Sequence, residues 1–191
     1  MPSTVQHIAS AARRLLDKDG AEAVTMRRVA SAVGITPMAI YRHYADRSAL
    51  LNELADAGFA DLAARLTNAR QAGSIEERLV RMAEIFLDHA LQNPRLFELM
   101  FFERRAGARR FPRDFKTGRS PTANVWALTV REGMELGELR QDDPWEITFA
   151  MGALSHGLIA LYLGGRLSAS AARFRAFYRR SFRRYLRGLR P

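Results

Sequence analysis

Apolar residues in this chain recur every three to four positions and never alternate with polar ones over a strand's length. That period is one face of an α-helix, whereas a half-buried strand needs a period of two. The spacing predicts an all-α protein, and the residues between the periodic runs mark where each helix stops. Ile8, Ala12, Leu15 and Leu16 form a first amphipathic run, ended by Gly20. Thr25 stands where an N-cap would open a short helix carrying Val29, Ala30 and Val33, and Gly34 stops it. Thr36 followed by Pro37 pairs an N-cap with a proline at the first helical position, so another helix starts almost at once and carries Ile40, Tyr41 and Tyr44. Asp46 can cap a longer helix with Leu50, Leu51, Leu54, Phe59, Leu62 and Leu66. Ser74 to Glu77 is a capping box ahead of Leu79, Met82, Ala83, Phe86 and Ala90. Asn93-Pro94, Ser120-Pro121 and Asp143-Pro144 open three further helices, and Ser168 or Ser170 opens the last. Residues 104–120 read as a basic, irregular connection, and the total is about nine helices.

Composition removes several function classes. The chain has 191 residues, 48% hydrophobic and 26% charged, which fits neither a disordered polyelectrolyte nor a membrane bundle. It has no cysteine, so disulfides, thiolate metal sites and cysteine nucleophiles are absent. Spacing does not bring the four histidines together, and no metal site or cofactor is expected. Without paired carboxylates, a nucleophile–base pattern or a glycine-rich phosphate loop, no catalytic residue and no enzyme is expected. The first residues contain no apolar signal core, which points to the cytoplasm.

The net charge of +10 suggests a polyanionic partner, but it is unevenly placed. Residues 1–50 contribute +3, residues 51–99 contribute −3, residues 100–166 contribute +2 and residues 167–191 contribute +8. On the last helix Phe174, Phe177, Phe182, Tyr185 and Leu189 are expected on one side, with Arg173, Arg179, Arg180, Arg183, Arg184 and Arg187 elsewhere. That pattern suits core packing with a solvated arginine face; a membrane-surface helix is the other reading. The helix before it has no charge from Ile147 to Gly165. Its small residues Gly152, Ala153, Ser155 and Gly157 suit close helix approach in a dimer better than a membrane span. No membrane partner is expected.

The first 50 residues carry the sharpest pattern. A helix-turn-helix needs a small residue where its helices touch, a glycine in the turn and an apolar inner face on the second helix. Ala30, Gly34, Ile35 and Ile40 stand at those positions. The outer face must be polar and aromatic to meet a major groove, and Thr36, Met38, Tyr41, Arg42 and His43 supply it. Thr25 and Arg27 open the preceding helix, where backbone N–H groups and a basic side chain suit a phosphate.

The string GAEAVTMRRVASAVGITPMAIYRHYADRSALL closely resembles the DNA-binding head of TetR/AcrR-family transcriptional regulators. The matching features are Gly20, Val24-Thr25, Arg28-Val29-Ala30, Val33-Gly34-Ile35, Ile40-Tyr41, His43-Tyr44, Asp46-Arg47 and Leu50-Leu51. They cover about a quarter of the chain. The resemblance implies a helix-turn-helix domain at residues 1–48 and a ligand-binding and dimerisation domain at 49–191. It implies phosphate contacts for Thr25, Arg27 and the Tyr41 hydroxyl, and variable base contacts from Thr36, Pro37 and Met38. It implies DNA-backbone contacts for His43 and for Arg47, where the family more often has lysine. Tyr44, commonly phenylalanine in the family, is either a contact or a core aromatic. Arg42 either reads a guanine or holds a phosphate. The stretch from Leu154 through His156-Gly157 to Leu158 resembles one subgroup of TetR-type C-terminal domains.

The family forms twofold dimers through its last two helices and holds an effector among the middle ones. Candidate lining residues here are Phe59, Leu62, Met82, Phe86, Met100, Phe101, Trp126, Val130, Phe149 and His156, with His89 a weaker one. Trp126 and His156 would add polar tips to an apolar pocket. The implied protein is a transcriptional regulator, most simply a repressor. It binds a palindromic double-stranded operator as a homodimer and is released by a small, largely apolar effector. The alternative is an effector-independent DNA-organising protein with weak sequence preference.

Overall fold

The computed structural model describes residues 3–191, and among them it is all helical. The helices are α1 (Thr4–Asp19), α2 (Met26–Val33), α3 (Pro37–Tyr41), α4 (Arg47–Ala69), α5 (Ile75–Gln92), α6 (Pro94–Phe101), α7 (Arg113–Lys116), α8 (Pro121–Glu135), α9 (Pro144–Leu163) and α10 (Ala171–Arg187). A single 3₁₀ turn, Ala21–Ala23, follows α1. The one α-helix not expected is α7, four residues inside the basic connection. It is too short to show a helical period. It forms around Asp114, whose carboxylate accepts the Arg110 N–H at 2.8 Å and is flanked by Arg113 and Arg119.

The expected caps hold the helix starts. Thr25 Oγ1 accepts from the Arg28 N–H at 3.2 Å, and Thr36 Oγ1 from the Ala39 N–H at 3.3 Å. Asp46 Oδ1 accepts from the Ala49 N–H at 2.7 Å, and Asp143 Oδ1 from the Trp145 N–H at 2.7 Å. Ser74 and Glu77 bond reciprocally, and Ser170, not Ser168, caps α10. Each of these side chains satisfies an amide that the helix itself leaves without an acceptor.

The chain packs as two compact units. The first comprises the chain up to Phe59 together with Gln92–Ala108. Here α1 packs on α2 and on α6, and α2 packs on α3. Ile8, Leu16, Val29, Ile40, Leu50 and Phe97 are completely buried. This unit is larger than the 1–48 segment marked by the sequence pattern because α6 joins it. Arg13 Nη2 donates to Asn93 Oδ1 at 2.7 Å, and a Cβ on Gly58 would lie 2.7 Å from Met100 Sδ. A bare glycine there lets α4 and α6 touch.

The second unit comprises Ala60–Leu91 and the chain from Arg109 onward. Here α8 packs on α9 and α9 on α10. Glu132 on α8 accepts from Arg70 at 2.9 Å and from Arg78 Nη1 at 2.8 Å. The Arg78 hydrogen bond is the main reason its carboxyl is held below the usual range. On α10 the buried stripe is Phe174, Tyr178, Phe182 and Leu186, not the expected set containing Phe177 and Tyr185. Four-residue steps stay within one face at 3.6 residues per turn, whereas Phe177 falls to the side and is 36% exposed. Tyr162 stacks on Phe174 with ring centroids 4.1 Å apart. Arg175 and Arg179 pair with Asp88 and Glu84 of α5, and Arg190 pairs with Glu76 at 2.6 Å.

Candidate nucleic-acid interface and effector cavity

The α2–α3 hairpin turns at Gly34, whose φ of +75° is a left-handed conformation that costs a residue with a Cβ. The Ile35 N–H then returns to the Ala30 carbonyl at 3.1 Å and closes the end of α2. Three residues separate the helices, the spacing of a helix-turn-helix. Ile40 is the one α3 residue that is fully buried. The rest of that short helix faces outward: Met38 is 70% exposed and Tyr41 48% exposed, with Thr36, Pro37, Arg42 and His43 exposed around them. A large methionine and tyrosine left in water beside an arginine and a histidine form a surface that no internal packing explains. Arg27, at the start of α2, is exposed as well, and Thr25 is half-buried with its hydroxyl engaged as the cap.

Among the residues named for the DNA, Tyr44, for which contact and core were both open, and Arg47 stand apart. Tyr44 is core: it is 7% exposed and its hydroxyl is buried without a hydrogen-bond partner. Burial pushes that phenol's pKa up, with Glu53 adding to the shift. Its N–H donates to the Ile40 carbonyl at 3.0 Å, so its buried ring directly follows α3. Arg47 is a clamp. Its Nε donates to the Val24 carbonyl at 2.8 Å and its Nη2 to the Ala21 carbonyl at 2.7 Å, with Glu22 at 3.4 Å. It ties the first turn of α4 to the connection before α2, so it positions the hairpin. A guanidinium spreads its donors over a rigid fork, so Nε and Nη2 reach the two carbonyls separately, whereas a lysine ammonium concentrates its three donors at one point.

The candidate effector residues do not form one lining. Phe59, Met100 and Phe101 belong to the first unit, where Phe59 and Phe101 meet edge to face at 5.2 Å. Leu62, Met82 and Val130 are fully buried core of the second unit. Phe149 is on the outside, 47% exposed, and stacks on Phe111 at 4.4 Å with Phe115 beside it. This corrects its expected place in a pocket: it lies on the face of α9 opposite Met151 and Ser155. Phe86 and Trp126 do share a small cavity of about 30 Å³ with Thr148, Met151, Gly152 and Ser155. Those four α9 residues were not on the expected lining. Met151, Gly152 and Ser155 follow Thr148 by three, four and seven residues, which is one helix face, but Gly152 and Ser155 equally suit close helix contact. The Thr148 hydroxyl is buried in that wall without a hydrogen-bond partner. His156 packs edge to face on Phe86 at 5.2 Å, and burial lowers its pKa to about 4, so it is neutral at pH 7. Among the described residues no cluster of His, Asp and Glu could hold a metal ion.

The family model for bacterial regulatory proteins of the tetR family matches residues 8–54. The model for the tetracyclin repressor-like C-terminal domain matches residues 79–187, more than half of the chain. The chain belongs to the TetR family. It is a transcription regulator with a helix-turn-helix DNA-binding head, and the α2–α3 hairpin is that motif. No curated protein sequence matches the chain. Among solved structures, a protein of unknown function from Rhodococcus sp. RHA1 is 25% identical, with a TM-score of 0.84 over 100% of this chain and 97% of that one. FadR from Bacillus subtilis, solved with stearoyl-CoA, is 14% identical, with a TM-score of 0.76 over 96% and 97%. A TetR variant from Acinetobacter baumannii, solved with minocycline, is 18% identical, with a TM-score of 0.69 over 98% and 96%. The last two establish a shared fold. In this TetR-family chain α9 is also long and apolar enough to cross a membrane by length and composition, but Ile147, Met151 and Ile159 on one side of it are core.

Proposed function

We propose that the protein is a cytoplasmic, non-enzymatic repressor that binds a palindromic operator as a homodimer and leaves it when a small, largely apolar effector binds. The observation that carries this reading is the outward face of α3, exposed Thr36, Met38, Tyr41, Arg42 and His43 on a hairpin held by Gly34 and by the Arg47 clamp. Residues 1–48 read the DNA and residues 49–191 dimerise and sense. Thr25, Arg27, Tyr41 and His43 hold phosphates, and Thr36, Pro37, Met38 and Arg42 meet base edges or the adjoining backbone. Arg47 acts through position, and Tyr44 is core.

Dimerisation is supported by the outer face of α9. Ala150, Ala153, Gly157, Ala160 and Leu161 are all exposed and fall within a sector of about 100° of the helix. Small residues in that arrangement admit a second helix closely. Two heads on one dimer then reach successive major grooves about 34 Å apart.

The effector reading starts from the cavity behind Phe86 and Trp126, which has room for about one water molecule. An effector has to enlarge it by parting α8 and α9. Two proteins of the same fold were solved with stearoyl-CoA and with minocycline, which supports an effector for this chain. α4 is the lever, with residues in both packing units. A coupling of about 1–3 kcal/mol would change operator affinity roughly 5–150-fold. The small cavity also favours a second reading, an effector-independent DNA-organising protein. Genomic DNA selection with the purified protein separates the two. Recovery of a palindrome with clear half-sites supports the repressor, and unselective recovery supports the organiser.

A further inference from the structure

Six of the seven arginines of α10 divide into two groups that the repressor reading does not use alike; Arg183, also exposed, lies outside both. Arg175 and Arg179 turn toward α5 and pair with Asp88 and Glu84. Arg173, Arg180, Arg184 and Arg187 point away from the buried stripe of Phe174, Tyr178, Phe182 and Leu186; all four are exposed and, among the described residues, make no ion pair. At 100° per residue they fall within a sector of about 60°, and at 1.5 Å per residue they span about 21 Å. No acidic residue occurs from 167 to 191 to neutralise them. The ridge is straight and lies on a convex helix surface, so it cannot wrap a small anion. It matches a polymer with regularly spaced negative charges.

We propose that this ridge is a second nucleic-acid contact, which binds the phosphate backbone of duplex DNA without reading sequence. A bilayer is the weaker match, because a helix lying in a membrane interface needs a free apolar face, and the apolar stripe of α10 is already buried in the core. The two faces of the second unit then divide the work: the charge-free outer face of α9 suits a protein contact, and the arginine ridge suits DNA beyond the reach of the α3 heads. The contact holds two stretches of duplex on one protein, or keeps the protein on DNA while the heads search. It does not depend on operator reading by α3.

The test uses the full chain with arginines 173, 180, 184 and 187 all changed to Gln, and a companion with all four changed to Lys. Binding to a duplex of scrambled sequence is followed by fluorescence anisotropy across a series of KCl concentrations. Each lost phosphate contact flattens the log-affinity against log-salt slope by about 0.9. The Gln variant is therefore expected to lose about 3 to 4 from that slope, and the Lys variant to keep it. The same loss is expected in a Tyr41→Phe background, which weakens the heads alone. An unchanged slope in the Gln variant overturns the proposal, and so does an equal loss in the Lys variant. Sedimentation with vesicles of equimolar phosphatidylcholine and phosphatidylglycerol supplies the remaining arm. Vesicle binding that needs the four arginines, beside a DNA slope that does not, would reassign the ridge to lipid.

Discussion

Replacing Tyr44 by Phe separates the core of the head from its DNA face. Tyr44 is 7% exposed and its hydroxyl has no hydrogen-bond partner. An unpaired buried hydroxyl costs about 1–3 kcal/mol relative to a satisfied one. Deleting the oxygen recovers part of that cost and leaves a gap of one atom, whose lost dispersion contacts return a few tenths of a kcal/mol. The net expectation is that Tyr44→Phe is neutral or stabilises the head by about 1 kcal/mol. Affinity for operator DNA at fixed salt stays the same, because the buried ring is kept. The matched change at Tyr41, 48% exposed, has the opposite profile, with stability kept and affinity lost. Tyr41→Phe leaves stability within about 0.5 kcal/mol. It removes a hydrogen bond to a charged phosphate, worth about 1.5–3 kcal/mol, and so weakens operator binding at least about tenfold. Urea unfolding followed by circular dichroism, with anisotropy on the same samples, reads both quantities. Destabilisation of Tyr44→Phe by more than about 1 kcal/mol, or loss of DNA binding in that variant, would refute the burial argument.

Three further outcomes follow from the same contacts. Arg47→Lys cannot reach the Ala21 and Val24 carbonyls together, so the head should lose about 1–2 kcal/mol in urea unfolding, with a parallel fall in operator affinity. Gly133→Ala places a Cβ 2.8 Å from both Ile75 Cγ2 and Leu139 Cδ1, and a loss of about 1–3 kcal/mol is expected in the same measurement. His156 is neutral in the fold because burial lowers its pKa from 6.5 to about 4. Between those values the unfolded chain binds the extra proton, so stability falls as pH drops from about 6.5 to about 4. The fall is up to about 3 kcal/mol, and His156→Leu should flatten it in a pH series of urea midpoints.

The helix starts were legible because a cap is a local device. Thr25, Thr36, Asp46, Ser74 and Asp143 each act within three residues of themselves, and spacing along the chain is all that such a bond requires. The hairpin was legible for the same reason, since Gly34 and Pro37 impose their backbone geometry wherever they stand. Choices between neighbouring residues on one helix were not. Phe177 and Tyr178 are both aromatic, and only the core of the second unit decides that Tyr178 turns inward, beside Phe174 and Phe182. Phe149 was assigned to a pocket because it is apolar on an apolar helix; the Phe111 and Phe115 rings that claim it lie in a stretch with no period to read. The inclusion of α6 in the first unit depends on Arg13 meeting Asn93, a contact across 80 residues that no local pattern encodes.

The central claim is that the exposed face of α3 reads operator DNA, and hydroxyl-radical footprinting on a selected genomic fragment tests it most directly. The account predicts two protected half-sites with their centres one helical turn, about 34 Å, apart, both lost in the Tyr41→Phe, Arg42→Ala double variant while circular dichroism stays unchanged. Protection without paired half-sites, or a footprint that survives those two substitutions, would contradict it.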